Sequence, residues 1–152
     1  MARAPFQVLI FPYRINDNHQ FEFALLKRVD EGFWQGVAGG GEDDETPLQA
    51  AIRETYEETG IDPLSPFMKL DSVESVPVIA FKESPRWGED IYVIPQFCFG
   101  VSPSISEIQL SAEHSEFGWF LYEQAKQLLK FDGYKTALWE LNQRLKGNGP
   151  RG

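Results

Sequence analysis

Two apolar runs open the chain. Residues 6–14 and 21–29 are rich in Phe, Val, Ile and Leu, and the turn formers Asn16, Asp17 and Asn18 between them predict two strands joined as a hairpin. Residues 36–41 are glycine-rich and read as a loop. From Thr46 the pattern turns helical. Thr46 is a good N-cap, Pro47 suits the first helical position, Gln49 completes a capping box, and Gly60 followed by Asp62 and Pro63 ends the helix. Leu48, Ala51, Ile52, Thr55 and Thr59 recur at helical spacing and form the expected core stripe. Residues 67–81 and 91–101 predict two further strands joined by a polar loop, 82–90. A short strand over 117–121 and helical periodicity over 122–130 and 133–146 follow, with Leu128, Leu129, Leu138, Leu141 and Leu145 as expected core. Mixed strands with helices before and after them predict an α/β sandwich. Residues 1–146 read as one domain, and residues 147–152 as a flexible tail.

Composition narrows the picture. At 152 residues the chain can bury roughly two-thirds of its unfolded surface without disulfides or a structural metal. Its single Cys98 sits in an apolar run, where it reads as a small buried hydrophobe suited to a reducing cytoplasm. A net charge of -9 argues against nucleic acid as a partner, because the summed field repels a polyanion. Any anionic substrate must therefore bring cations. The apolar run at 6–13 contains Pro12 and is followed by Arg14, so it reads as a strand rather than a leader. The uncharged stretch 91–106 is interrupted by Pro95, Gly100 and Pro103, which argues against a membrane partner.

The chemistry lies on the first helix. At about 100° per residue, Glu54, Glu57 and Glu58 fall within an arc of about 100°, apart from the expected core stripe. Bare carboxylates so placed repel one another, and a hard divalent cation would relieve them. A solvated acidic face is the plain alternative for such a helix taken by itself.

Its surroundings decide between the two. Gly39, Glu45, Arg53-Glu54, Glu57-Glu58 and Gly60-Ile61 stand at the spacing of a known signature. The stretch resembles the Nudix box, found in hydrolases that act on a nucleoside diphosphate linked to another group. Seven fixed identities at roughly 6% usage would coincide by chance on the order of once in 10⁸ to 10⁹ windows. Thr55 departs from the pattern by occupying an aliphatic slot. Its hydroxyl is expected to bond a backbone carbonyl one turn back, at a modest packing cost. The flanks agree with the family: Trp34-Gln35-Gly36-Val37 leads into the box, and Glu113-His114-Ser115-Glu116 precedes Phe117-Gly118-Trp119-Phe120.

The resemblance implies a Nudix-type α/β/α sandwich with a mixed central sheet, and it assigns roles residue by residue. Glu54, Glu57 and Glu58 match glutamates that hold Mg²⁺ (or Mn²⁺), with Arg53 and Glu45 orienting them. Gly39 and Gly40 let the backbone approach metal and phosphates. The general base is then a box glutamate such as Glu54 or Glu57, or the distant Glu113, which also serves as a further metal ligand. Arg3 and Lys27 match phosphate-contacting positions of dihydroneopterin triphosphate pyrophosphohydrolases. Trp87, beside Arg86 in the polar loop, is the better candidate for stacking on a heterocycle, whereas Trp34 reads as core. His19 reads as a surface residue and His114 as at most an indirect participant.

The reading that results is a cytoplasmic pyrophosphohydrolase, monomer or homodimer. It cleaves a dATP-like or dihydroneopterin triphosphate-like compound to a monophosphate and pyrophosphate. Hydrolysis of dinucleoside polyphosphates or ADP-ribose, and non-catalytic nucleotide sensing, are the alternatives.

Overall fold

The computed structural model describes residues 3–81, 84–104 and 107–147. The expected tail therefore lies, past Gly147, outside the described residues. Seven strands form one mixed sheet: β1 Arg3–Ile15, β2 Phe21–Arg28, β3 Trp34–Gln35, β4 Val37–Glu42, β5 Phe67–Pro77, β6 Val93–Val101 and β7 His114–Leu121. Three helices accompany them: α1 Pro47–Thr59, α2 Tyr122–Leu128 and α3 Asp132–Leu145. Strand β1 is the hub. It pairs antiparallel with β4 and parallel with β6 through its first part, then antiparallel with β2 at Tyr13, Arg14 and Ile15. Strand β5 lies antiparallel to β6, and β7 to β2.

Alternation along β1 separates two cores, because successive side chains point to opposite faces. Val8 and Ile10 join Val37, Ala51, Ile61, Phe99 and Val101 beneath α1. Leu9 and Phe11 join Leu70, Cys98, Ala125, Leu138 and Leu141 beneath α2 and α3. The result is the expected α/β/α sandwich. Leu128 and Leu145 pack at the edge of the second core instead of its centre.

Several elements differ from their sequence-based expectation. Residues 37–42 are a strand and not a loop, since pairing with β1 draws the glycines into the sheet. Strand β5 stops at Pro77; the N–H of Val78 still donates to the Tyr92 carbonyl at 3.0 Å, and Val78–Ala80 then turns as a 3₁₀ helix. The polar loop contains a second 3₁₀ turn, Ser84–Trp87. Strand β7 starts at His114, three residues early, because β2 supplies pairing partners for its polar first turn of residues. On α1, Leu48 is exposed, while Ala50 and Glu58 join Ala51, Thr55 and Thr59 in the buried set. Thr55 Oγ1 is buried without a hydrogen-bond partner, so the expected bond one turn back is not made. The hydroxyl of Thr59 takes the carbonyl of Thr55 instead, at 2.6 Å.

Candidate active site

Helix α1 is pinned at both ends. Thr46 Oγ1 accepts from the N–H of Gln49 (3.1 Å), and Gln49 Oε1 accepts from the N–H of Thr46 (2.9 Å). Gly60 closes the other end at φ 76°, a left-handed conformation suited to glycine, and donates to the Tyr56 carbonyl at 2.9 Å. The acidic face is thereby held against β4.

Arg53 organises that face. Its guanidinium donates to Glu45 at 2.7 and 3.0 Å, to Glu54 at 3.1 Å, to Glu57 at 3.3 Å and to the Gly40 carbonyl at 2.9 Å. Hydrogen bonding to Arg53 holds the Glu45 carboxyl below its ordinary range. Glu54 and Glu58 are mostly buried, whereas the Glu57 side chain is 54% exposed. Burial pushes the Glu58 carboxyl up, and its neighbour Glu54 pushes the same way. Burial also raises Glu54, against the pull of Arg53.

Glu58 Oε1 is a buried oxygen without a hydrogen-bond partner, and the unpartnered Nδ1 of the buried His114 stands 3.8 Å away. The other ring nitrogen of His114 meets Gln35 at 3.1 Å. A β-carbon at Gly39 would overlap the Glu54 carboxylate. An orphaned carboxylate oxygen near the glycines of β4, which project no side chains, suits a hard divalent cation that would satisfy the oxygen and offset the repulsion. Among the described residues no three acidic, His or Cys side chains already converge on one point, because Glu57 leans toward Arg53. Its exposure leaves it room to turn.

Neighbouring glycines face opposite ways. Gly39 is paired with Val8 and faces α1; Gly40 is paired with Gln7 and faces a cavity of about 1210 Å³ on the other side of the sheet. A β-carbon at Gly40 would overlap the Arg3 guanidinium. Arg3, Gly39, Gly40 and Glu113 all line this cavity, so the fold brings these four sequence-derived candidates together. Glu113 is exposed, and its backbone carbonyl accepts from the N–H of Val29 at 3.0 Å.

Two candidates are placed differently. Lys27 reaches Glu116 at 3.8 Å and lies 6.0 Å from the Trp34 ring, away from the cavity lining. Trp87 packs on Phe81 at 6.0 Å, and its indole N–H donates to the Arg3 carbonyl at 2.9 Å. Phe81, not Trp87, lines the cavity, with the Arg3 guanidinium 4.8 Å from its ring.

Sequence reasoning missed Gln7, Arg28, Glu74 and Gln96, which also line the cavity. Gln96 was detectable as a polar residue inside the apolar run of β6.

The family model described as the NUDIX domain matches residues 7–139. The chain belongs to the Nudix family. It is an enzyme of the Nudix hydrolase class, similar over 95% of its length to a Listeria monocytogenes protein assigned to the NUDIX hydrolases. That structure is 42% identical, 97% covered, and superposes with a TM-score of 0.85. The asymmetrical bis(5'-nucleosyl)-tetraphosphatase of Rattus norvegicus is 32% identical over 85% of this Nudix chain and 84% of its own length. The dihydroneopterin triphosphate diphosphatase of Haemophilus influenzae is 31% identical over 69% of this chain and 54% of its own.

Proposed function

We propose that the chain is a Mg²⁺-dependent (or Mn²⁺-dependent) pyrophosphohydrolase. It cleaves a dATP-like or dihydroneopterin triphosphate-like compound to a monophosphate and pyrophosphate. The observation that carries this reading is the two-faced strand β4: Gly39 meets the Arg53-braced carboxylates of α1, and Gly40 meets the cavity. Among the described residues β4 pairs with no strand besides β1, so a polyphosphate could pass from the cavity to the acidic helix beside the Gly40 carbonyl that Arg53 holds. The Haemophilus relative supports a triphosphate substrate.

Glu54, Glu57 and Glu58 are the residues that would hold the metal, with Glu113 completing the set from the loop before β7. Bound there, a divalent cation supplies charge neutralisation for the phosphates and an acidified water. Arg53 and Glu45 fix the carboxylates, Arg3 meets phosphate from the cavity side, and the water's proton goes to Glu113, where Glu113 is not itself a metal ligand, or otherwise to a glutamate of α1. Lys27 reaches phosphate only by leaving Glu116, and Trp87 supports the ring site through Phe81. We read residues 1–146 as one domain acting in the cytoplasm, in keeping with the buried free thiol of Cys98.

A second reading is hydrolysis of a dinucleoside polyphosphate, favoured by the coverage of the Rattus relative and by basic and aromatic groupings at two parts of the cavity. These are Arg3 with Phe81, and Arg28 with Phe33 and Phe131. Chromatography of products from dATP, dihydroneopterin triphosphate and a diadenosine tetraphosphate, with ¹⁸O-labelled water to mark the attacked phosphorus, separates the two. Pyrophosphate with a monophosphate is the expected outcome. Orthophosphate with a nucleoside diphosphate overturns it, and preferential cleavage of the dinucleotide favours the second reading.

A further inference from the structure

A polar row crosses the cavity floor. Gln7 on β1 is the register partner of both Gly40 on β4 and Gln96 on β6, and Gln96 is the partner of Glu74 on β5. Register partners on adjacent strands share a face, so the row spans three strand spacings, about 14 Å. All four residues line the cavity. With the phosphates at Gly39 and Gly40, the row leads away from the reacting end toward Glu74.

The row's side chains are held in place. Arg3 donates to Gln7 Oε1, and the amide of Gln96, only 3% exposed, donates to Glu74 Oε1 at 3.1 Å. The Glu74 carboxylate lies against the first turn of α3, where Gly133 leaves room that a β-carbon would fill. Among the described residues no Lys or Arg pairs with it. Burial and the nearby Asp132 both raise its pKa. A half-buried carboxylate with one lone pair taken by Gln96 accepts further hydrogen bonds and donates none. Val76, Phe81, Phe131 and Tyr134 supply apolar walls to the same cavity.

Building on the proposed pyrophosphohydrolase activity, and narrowing its substrate from the dATP-like to the dihydroneopterin triphosphate-like class, we propose that Glu74 and Gln96 read the edge of the substrate's heterocycle and select a 2-amino-4-oxopyrimidine edge, as in guanine and pterins, over adenine. Such an edge offers a ring N–H and an adjacent amino group, two donors side by side for the free lone pairs of Glu74. Its oxo group accepts the second amide hydrogen of Gln96. Adenine sets a ring nitrogen lone pair beside its amino group, which would face a carboxylate oxygen. Glu74 and Gln96 are thus specificity-determining residues remote from the reacting phosphorus.

The test uses two measurements on the full chain. Calorimetric binding of GMP and AMP without metal is expected to favour GMP by about tenfold or more. The ratio of kcat/KM for dGTP over dATP with Mg²⁺ is expected to follow it. Glu74→Gln places an amino donor where the carboxylate stood and is expected to erase or reverse both ratios. Gln96→Leu is a second variant that should flatten them if Glu74→Gln folds poorly. Equal binding of GMP and AMP by the unaltered protein, or variants that lower both bases alike, overturns the inference. Preferential GMP binding without hydrolysis of any triphosphate supports the inference while overturning the catalytic reading. Hydrolysis without base preference does the reverse.

Discussion

Arg53 and Glu45 meet fork to fork, two nitrogens of the guanidinium donating to the two carboxylate oxygens at 2.7 and 3.0 Å. This fixed plane lets the same guanidinium reach Glu54, Glu57 and the Gly40 carbonyl, so one side chain sets the spacing between the acidic helix and β4. Lysine keeps the charge but has no fork. Arg53→Lys is therefore expected to lower kcat by about 10- to 100-fold with a smaller change in KM, as steady-state kinetics at saturating Mg²⁺ would show. Equal loss in both constants, or none, would remove Arg53 from its positioning role.

Metal removal should lower both stability and activity, whereas substituting a buried ligand should separate the two. Burying Glu58 beside Glu54 is costly when both are charged, and a cation would offset that cost. Adding Mg²⁺ should raise the Tm of the unaltered protein, since a ligand that binds only the folded state stabilises it. Glu57→Gln is exposed and should keep the fold while lowering kcat by several orders of magnitude. Glu58→Gln, buried, should be at least as stable as the parent without metal and lose much of the Mg²⁺-dependent Tm increase. Turnover that persists in excess chelator would contradict both.

Glu113 faces the cavity from a loop rather than from α1. If it takes the water's proton, Glu113→Gln should depress kcat far more than it raises KM. A change of less than about threefold in both constants would return the base to the helix.

Far from this site, Glu140 ties α3 to β5. It accepts from the backbone N–H groups of Asp71 and Ser72 at 2.7 and 2.8 Å, from the Ser72 hydroxyl at 2.6 Å and from Arg144 at 2.8 Å. Burial alone would raise its pKa, but these hydrogen bonds outweigh it and hold the carboxyl below its ordinary value. A depressed carboxyl adds stability above the unfolded-state pKa of about 4.3 and loses it as pH falls through the folded value. Glu140→Gln should cost about 1 kcal/mol at pH 7, and urea titrations at pH 7 and pH 3.5 should show the difference shrinking at the lower pH. A gap independent of pH would contradict this origin.

The buried hydroxyl of Thr55 offers the opposite test. Without a hydrogen-bond partner it carries a desolvation cost that a methyl group of the same shape does not. Thr55→Val should stabilise the protein by about 1 kcal/mol in urea titration without altering kcat. Destabilisation would mean the hydroxyl is satisfied in solution.

Local signals were the legible part of this molecule. The capping box, Gly60 and the glutamate spacing are encoded within about 20 consecutive residues, so α1 and its acidic face could be read directly. Long-range pairing was less accessible. Whether residues 36–41 are loop or strand depends on β1 lying alongside, and no window around the glycines contains that information. Glu58 reads as an exposed acid by helical position alone, yet His114, 56 residues later, helps to cover it. The Gln7, Gln96 and Glu74 row is assembled from three distant strands, so its members look like isolated polar residues in the sequence.

The central place of β1 also governs the order of assembly. Gln7 pairs with Gly40 on one side and with Gln96 on the other, so the strand is complete only after a segment some 90 residues later has been made. Ribosomal synthesis at about 5–20 residues per second leaves β1 with an open edge for several seconds, long relative to hairpin formation in microseconds. Its early partner is β4, and Val8 and Ile10 can meet Val37, Ala50 and Ala51 before β6 appears. The half of the molecule carrying the acidic helix can thus condense first, leaving the floor beyond Gln7 to be laid when β5 and β6 arrive.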